Sequence, residues 1–384
     1  MKRVYLDHNA TTPLRDEARA LWLEVQDEVG GNASSLHASG RRARARIDEA
    51  RERVAGALGV SEEEVIFTSG GTESNNLALF GAAAALGPGS AVVTTAVEHS
   101  AVLEPVRQLH GKGHPGDVVG VDERGHVNGS RFDAALGDGP ALVSVQAANN
   151  ETGVVNPLAE WIPRLRERAA PLVVHTDAVQ ALGRLDLAPG VARADLASFS
   201  AHKVGGPVGV GVLVRRRGTP LEPRSFGGGQ EHDQRPGTED VAGIAAGALA
   251  IELAVNERET NAARLGALRD ELWNDLTQVL PRLRRVAPQE DESARLPNTL
   301  CFLVPEADGK VLVTRLDLEG LEVSAGSACA SGSLEPSHVL LALGHDERES
   351  RAALRLSLGR NTSRSECKRA VDILKKVFAP SHAT

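Results

Sequence analysis

The chain has 384 residues and a formal net charge of −8 at pH 7, which does not favour nucleic acid as a partner. Hydrophobic residues make up 41% of it and charged residues 24%, a balance typical of globular proteins. No apolar run is long enough to span a bilayer, and the N-terminal residues lack the apolar core of a signal peptide. Together with the presence of only three cysteines, this predicts a cytoplasmic protein without a membrane segment or a disulfide framework.

Apolar runs alternate with helical patterns between about residue 45 and residue 215. This alternation predicts an α/β fold in which helices cover a mostly parallel sheet. The strands predicted for that sheet are 65–68, 91–95, 118–121, 141–146, 172–176, 196–200 and 210–214.

The pattern changes after residue 240, where long helices precede a second group of strands. The predicted helices and strands of this part are 241–258, 260–280, 299–304, 321–324 and 353–357. Ser363 and Glu366 form a capping box before a last helix. We therefore predict a large domain over 14–258 and a smaller α+β domain that combines 1–13 with 259–384.

Polar clusters follow several predicted strands, at the sheet edge where open α/β folds bind ligands. In FTSGGTESNN (67–76) a glycine pair leads from a strand into a helix. The free N–H groups of that helix, together with Thr72, suit a phosphate. A tight turn without any ligand gives the same pattern, and neither a P-loop nor a dinucleotide-binding motif is present.

Two further clusters carry a carboxylate and an amine. Asp177 ends an apolar strand and would pair with a protonated pyridine nitrogen, while Gln180 would reach a phenolic oxygen. Lys203 follows the next strand and would form a Schiff base if its pKa is lowered, with Ser200 and His202 near a phosphate. The simpler alternatives are that the aspartate caps a helix and that the lysine is a surface charge.

A glycine-rich segment, 227–240, contains Arg235 and Thr238 and is typical of a loop that approaches an anion, in its own subunit or in a neighbouring one. A flexible connection between domains is the alternative. Cys329 lies among Gly, Ala and Ser residues, which indicates an accessible thiol, whereas Cys301 lies in an apolar strand. No second cysteine or histidine lies at metal-ligand spacing from Cys329, so no metal site is predicted.

The chain resembles the cysteine desulfurases, which share the class V aminotransferase fold. The resemblance extends from about residue 4 to residue 362 and rests on ten segments in order. They are YLDHNATTP, GNASSLHASGR, FTSGGTESNN, VEHSAV, NNETG, HTDAVQ, SFSAHKVGGP, GGGQEHDQRPGTED, GSACASGSLEPSHVL and RLSLGR. It implies fold type I of the pyridoxal-phosphate-dependent transferases, as in aspartate aminotransferase, with a large domain and a smaller α+β domain.

The resemblance also implies a role for individual residues. Those implied to bind pyridoxal 5′-phosphate are Gly71, Thr72, His99, Asn150, Asp177, Gln180, Ser200, His202, Lys203 and Thr238. Lys203 would hold the cofactor covalently, and His99 would stack on its ring and move protons. Asn150 and Arg355 would hold the carboxylate of L-cysteine. Cys329 would accept the sulfur as a persulfide, and the amino acid would leave as L-alanine.

Partners are implied in the same way. Family members are homodimers, in which Thr238 would reach the phosphate of the partner subunit. A sulfur-acceptor protein is expected, and an iron–sulfur scaffold is one candidate, although this chain stops soon after its last helix and lacks the longer tail that docks the scaffold in related enzymes. The alternatives are a selenocysteine lyase or related class V enzyme, an ordinary aminotransferase, and a non-catalytic homologue.

Overall fold

The structure is a computed structural model that describes most of the chain. The described residues are 3–127, 129–137, 139–167, 171–287, 294–305, 307–326 and 335–378. The strands are β1 (Val4–Tyr5), β2 (Val65–Thr68), β3 (Ala91–Thr95), β4 (Val118–Val119), β5 (Ala141–Ser144), β6 (Leu172–Asp177), β7 (Leu196–Ser200), β8 (Gly211–Arg215), β9 (Arg284–Arg285), β10 (Thr299–Leu303), β11 (Leu321–Glu322), β12 (Ser324–Ala325) and β13 (Ala353–Ser357). The helices are α1 (Asp16–Glu28), α2 (Ala38–Leu58), α3 (Gly71–Leu86), α4 (Ser100–Gly111), α5 (Gly129–Leu136), α6 (Leu158–Arg166), α7 (Val241–Asn256), α8 (Arg258–Val279), α9 (Gly309–Leu318), α10 (His338–Ala342), α11 (Glu347–Arg351) and α12 (Arg364–Phe378).

A central sheet of seven strands has the order β2-β8-β7-β6-β5-β3-β4. Strand β8 is antiparallel to both of its neighbours, and the remaining pairs are parallel. The predicted mostly parallel sheet is therefore confirmed. Strands β4 and β5 are shorter than predicted. Beyond β4, Val121 pairs with Val127 in a separate bridge, and beyond the last ladder pair of β5, Val145 is buried in the core.

Helices cover both faces of this sheet. Neighbouring residues of a strand point to opposite faces, so they belong to different apolar clusters. Val92 and Leu142 belong to the apolar cluster formed with α3 and α4. Val93 and Val143 belong to the cluster on the other face, with α2 and α7. Each fully buried side chain of this size contributes roughly 1.5–3 kcal/mol to stability. Within the described ranges, no helix is both long enough and apolar enough to cross a membrane.

The second sheet is antiparallel, with the order β12-β13-β10-β9, and it packs with α8, α9 and α12 around an apolar core of its own. That core includes Val4 and Leu6, because β1 pairs in parallel with β11. The strand predicted near 321–324 lies at the expected place but is divided between β11 and β12. The chain forms two short strands there, since it changes partner at Val323 from β1 to β13.

Candidate active site

A cavity of about 300 Å³ lies at the carboxyl ends of the parallel strands, which is where open α/β sheets bind ligands. Asp177 and Ser200, the last residues of β6 and β7, lie in its wall. Residues that follow β2, β3 and β5 complete this side. The topology therefore brings together clusters that lie more than a hundred residues apart in the sequence.

Asp177 is a buried carboxylate, 8% exposed, at the base of the cavity. Its Oδ2 accepts a hydrogen bond from Asn75 Nδ2 at 2.7 Å, and its Oδ1 accepts one from the Val179 backbone N–H at 3.0 Å. These donors hold the carboxylate in place without neutralising its charge. A cationic ring nitrogen is the partner that such a site suits.

Lys203 lies in a single helical turn directly after β7, and its amine lines the same cavity. The amine donates to the backbone carbonyls of Asn9 and Ala10, both at 2.7 Å. Gln180 Nε2 donates to the same Asn9 carbonyl at 3.0 Å. The amine and the Gln180 carboxamide are therefore neighbours, as a cofactor joined to this lysine requires.

The N-terminus of α3 forms one end of the cavity through Gly71 and Thr72. No side chain caps this helix. The preceding Gly70 has φ 154°, a conformation that a residue with a side chain rarely adopts. Free N–H groups at a helix N-terminus attract anions, so this end suits a phosphate.

Ser200 and His202 line the cavity as well. His202 Nδ1 is hydrogen-bonded to Thr11 Oγ1 at 3.1 Å. Burial, with the Lys203 charge, lowers the pKa of His202 to about 4. The imidazole is therefore neutral at neutral pH and would contact a phosphate as a hydrogen-bond donor.

His99 is the N-cap residue directly before α4, and it lines the cavity. Its Nδ1 accepts a hydrogen bond from the Ala101 backbone N–H at 3.0 Å, so Nε2 carries the proton of the neutral ring. Burial lowers the pKa of His99, and this effect exceeds that of the Asp177 charge, which raises it. The adjacent Glu98 is fully buried, and burial raises the pKa of its carboxyl to about 8.

Arg355, in β13, reaches the cavity from the second sheet. Its side chain is 1% exposed, and Nη2 forms an ion pair with Asp7 Oδ1 at 2.7 Å. Nη1 donates to the Asn150 backbone carbonyl at 3.0 Å, while Nε has no partner in the described structure. Asn150 lines the cavity beside it. This is a fixed, desolvated guanidinium of the kind that binds a carboxylate.

Thr238 is exposed and does not line this cavity. The loop that carries it is anchored, because Arg51 and Glu231 form a buried ion pair at 2.6 Å. Three consecutive residues, Glu231 to Asp233, have φ values of 48°, 57° and 62°, which are uncommon without glycine. Arg235 pairs with Glu73 in the first turn of α3. These contacts favour an anchored loop over a flexible connection between domains.

Cys329 lies outside the described residues. The cysteines that the structure describes, Cys301 and Cys367, are both buried. Burial raises the pKa of Cys301 to about 12 and that of Cys367 to about 11, so both thiols stay protonated at neutral pH. Neither has the properties of a nucleophile.

Several cavity residues were not assigned a role from the sequence. Asn9 and Ala10 belong to the N-terminal segment, Asn75 follows the glycine pair, and Gln146 and Ala148 follow β5. The polar stretch YLDHNATTP and the paired asparagines of FTSGGTESNN were the available signals. Their contacts could not be read from the sequence, because each depends on residues far away in the chain.

These residues fit pyridoxal 5′-phosphate group by group. The cavity offers an amine for the aldehyde, a buried carboxylate for the pyridine nitrogen, and an uncapped helix N-terminus for the phosphate. Its volume is at the lower end of the range for ligand pockets, roughly 300–1,000 Å³.

A model of the family "Aminotransferase class-V" matches residues 4–370, so the chain belongs to the class-V aminotransferase family. The chain is 42% identical over 380 residues to "Cysteine desulfurase IscS" of Dictyoglomus turgidum, an alignment that covers 98% of this chain and 95% of that protein. It is 43% identical to the "IscS-like cysteine desulfurase" of Mycobacterium tuberculosis, with 98% and 96% covered. Within the family, the chain therefore belongs to the pyridoxal-phosphate-dependent cysteine desulfurases.

Solved structures agree with this assignment. A NifS-like protein superimposes with a TM-score of 0.89 at 35% identity, covering 98% of this chain and 99% of that one. A NifS-like protein from Rickettsia africae superimposes with a TM-score of 0.85 at 29% identity, with the same coverage. The predicted fold type I is therefore confirmed.

Proposed function

We propose that this chain transfers the sulfur of L-cysteine to Cys329 and releases L-alanine. In this reaction the C–S bond of the substrate breaks and an S–S bond forms, so that one cysteine and one thiol give one alanine and one persulfide. The observation that carries the proposal is the cavity in which the Lys203 amine, the Asp177 carboxylate and the Arg355 guanidinium face a common space.

Lys203 would hold the cofactor covalently, and Asp177 would pair with its ring nitrogen. Gln180 would donate to the phenolic oxygen. When bound, pyridoxal phosphate supplies an electron sink for the charge left on the substrate α-carbon. The cofactor phosphate would be held by four residues that line the same cavity, namely Gly71, Thr72, Ser200 and His202.

Arg355 would hold the substrate carboxylate, with Asn150 beside it. The guanidinium is already fixed by Asp7 and by the Asn150 carbonyl, so little side-chain entropy is lost on binding. A fixed carboxylate sets the direction of the bond from the α-carbon to its hydrogen, which Lys203 would then remove once its amine is released.

His99 would move protons within the cavity. Its pKa is lowered by burial, so the neutral ring carries a proton on Nε2 and takes up a second one only at cost. A histidine in this state suits proton transfer to a departing group followed by recovery of the proton.

We also propose a domain organisation, an oligomeric state and a cellular role for the protein. Residues 14–258 would form the large domain, and 1–13 with 259–384 the smaller one, which the separate apolar cores support. The protein would be a homodimer, in which the exposed Thr238 reaches the partner subunit's cofactor phosphate. It would act in the cytoplasm and pass sulfur to an acceptor protein, with iron–sulfur cluster assembly as one destination.

The test is an absorbance spectrum of the purified holoprotein before and after L-cysteine is added, with alanine and sulfide measured in the presence of a thiol reductant. We expect a visible band that changes on addition, and one alanine for each sulfide. Formation of a new amino acid from an added keto acid, without sulfide, would instead indicate an aminotransferase. A rate on L-selenocysteine far above that on L-cysteine would indicate a selenocysteine lyase.

A further inference from the structure

We infer that Arg184 is a positioning residue that holds the Gln180 carboxamide with its NH₂ group towards the cofactor cavity. The inference rests on the proposed function, because the group that this amide would meet is the phenolic oxygen of the cofactor. Arg184 does not itself line the cofactor cavity. It lies behind Gln180, in the wall of a small adjoining space of about 50 Å³.

The orientation of the carboxamide follows from the chemistry of arginine. Arg184 Nη1 donates to Gln180 Oε1 at 2.6 Å and to the Gln180 backbone carbonyl at 2.9 Å. A guanidinium group has five N–H donors and no acceptor. Only the oxygen of the carboxamide can therefore face Arg184, and the NH₂ group must point to the opposite side.

That opposite side is the position of the Lys203 amine. Gln180 Nε2 and Lys203 Nζ donate to the same acceptor, the Asn9 carbonyl, at 3.0 and 2.7 Å. In pyridoxal phosphate the phenolic oxygen is attached to the ring carbon next to the one that bears the aldehyde. A donor beside the lysine is therefore a donor beside that oxygen, and the second hydrogen of Nε2 is available for it.

An ion pair with a carboxylate does not explain why Arg184 is buried. Across the described part of the chain, no carboxylate lies within ion-pair distance of its guanidinium, and Nη2 turns to the Lys203 backbone carbonyl at 3.4 Å. Burial, with a smaller effect of the Arg355 charge, lowers the pKa of Arg184 to about 10. Among the described residues, the hydrogen bonds of this buried cation go to Gln180 and Lys203, the two residues that would meet the aldehyde end of the cofactor.

The test compares the affinity of the apoprotein for pyridoxal 5′-phosphate with its affinity for the 3-deoxy analogue, which lacks the phenolic oxygen. In Arg184→Met the carboxamide can rotate and present its oxygen to the phenolic oxygen. We expect about a tenfold or greater loss of affinity for pyridoxal phosphate, with little change for the analogue. Arg184→Lys retains a donor without an acceptor and should recover most of the loss.

Two further variants make the result decisive. In Gln180→Met the amide is absent, so adding Arg184→Met to it should cause no further selective loss. Arg184→Gln, a smaller change that introduces an acceptor, should lose affinity selectively, and it decides the matter if Arg184→Met does not fold. Equal losses for both ligands, or unchanged affinity for pyridoxal phosphate, would overturn the positioning role. If the wild-type protein binds neither ligand, the proposed function itself fails.

Discussion

The two sides of the cavity are built differently. On one side, parallel strands end in Asp177 and in the segment that contains Lys203, and these groups are held by neighbours from the same sheet region or by backbone carbonyls. On the other side, Arg355 comes from an antiparallel strand and is held by Asp7, which lies 348 positions away in the sequence. We infer that the first side serves the cofactor and the second the substrate, so substitutions on the two sides should have separable effects.

The largest effect is expected on the cofactor side, from Lys203→Ala. Without this amine the protein can form no imine with the cofactor, so the band of the resting holoprotein and turnover should both be abolished, while Asp177 and the α3 N-terminus still allow weaker, non-covalent binding. Absorbance and sulfide release measure the two losses. Lys310→Ala is the matched control, since Lys310 is exposed on α9 and should behave as wild type. Retention of a lysine-dependent band by Lys203→Ala would refute the assignment.

The next largest effect is expected from replacing the proposed sulfur acceptor, which should leave the binding of cofactor and substrate intact. Cys329→Ser should bind pyridoxal phosphate and L-cysteine with near-normal spectra, yet release no sulfide, because a hydroxyl cannot hold the transferred sulfur. Cys301→Ala is the control, since burial raises the pKa of that thiol to about 12 and keeps it protonated. Sulfide release under reductant is the measurement, and normal turnover by Cys329→Ser would mean that another nucleophile acts.

On the substrate side, Arg355→Ala should raise the KM for L-cysteine by about 10–100-fold, as expected for loss of a hydrogen bond to a charged group. The band of the bound cofactor should remain, in contrast to Lys203→Ala. Steady-state kinetics with spectra recorded on the same samples tests this. Arg351→Ala, an exposed arginine just before β13, is the control. An unchanged KM would remove Arg355 from the substrate site.

The smallest effect is expected in the pH dependence of the free energy of unfolding. Burial raises the pKa of Glu98 from 4.5 to about 8 and that of Glu151 from 4.5 to about 7, so the folded state retains protons that the unfolded state has lost. By themselves, these two carboxyl groups therefore lower the free energy of unfolding as the pH rises from about 4.5 towards 8. Burial lowers the pKa of His8, His175 and His202 from 6.5 to about 4, and these three groups act in the opposite direction below pH 6.5.

Between pH 6.5 and 8 only the two carboxyl groups of this set act, and the decrease should be on the order of 1 kcal/mol per pH unit. Glu98→Gln should reduce the slope, which urea unfolding at several pH values measures. Glu104→Gln, on an exposed position of α4, should leave it unchanged. An equal slope in wild type and Glu98→Gln would show that this carboxyl is ionised in the folded protein.

The cofactor side could be predicted from the sequence to a greater extent than the substrate side. Asp177, Ser200 and Lys203 each follow an apolar strand, and parallel strands bring such residues to one edge of a sheet. Periodicity alone could not place Arg355 or Asp7, because their contact joins the two ends of the chain. Strand ends were overestimated at Val119 and Ser144, where apolar residues continue beyond the last ladder pair.

The resemblance to a family supplied the role of Arg355 but not the role of Arg184. Arg184 lies four positions after Gln180 and reaches both the amide oxygen and the backbone of Lys203. No local pattern distinguishes such an arginine from one on a solvated surface. Its function depends on which side-chain atom it faces, and that is known only once the fold is known.

The pairing of β1 with β11, and of Asp7 with Ser357, has a consequence for the order in which the protein matures. The ribosome delivers the first partner of each pair more than 300 residues before the second, so the N-terminal segment cannot dock until nearly all of the polypeptide has emerged. A nascent chain thus contains Lys203 well before the side of the cavity that we assign to the substrate can form. The complete active site can therefore assemble only near the end of translation.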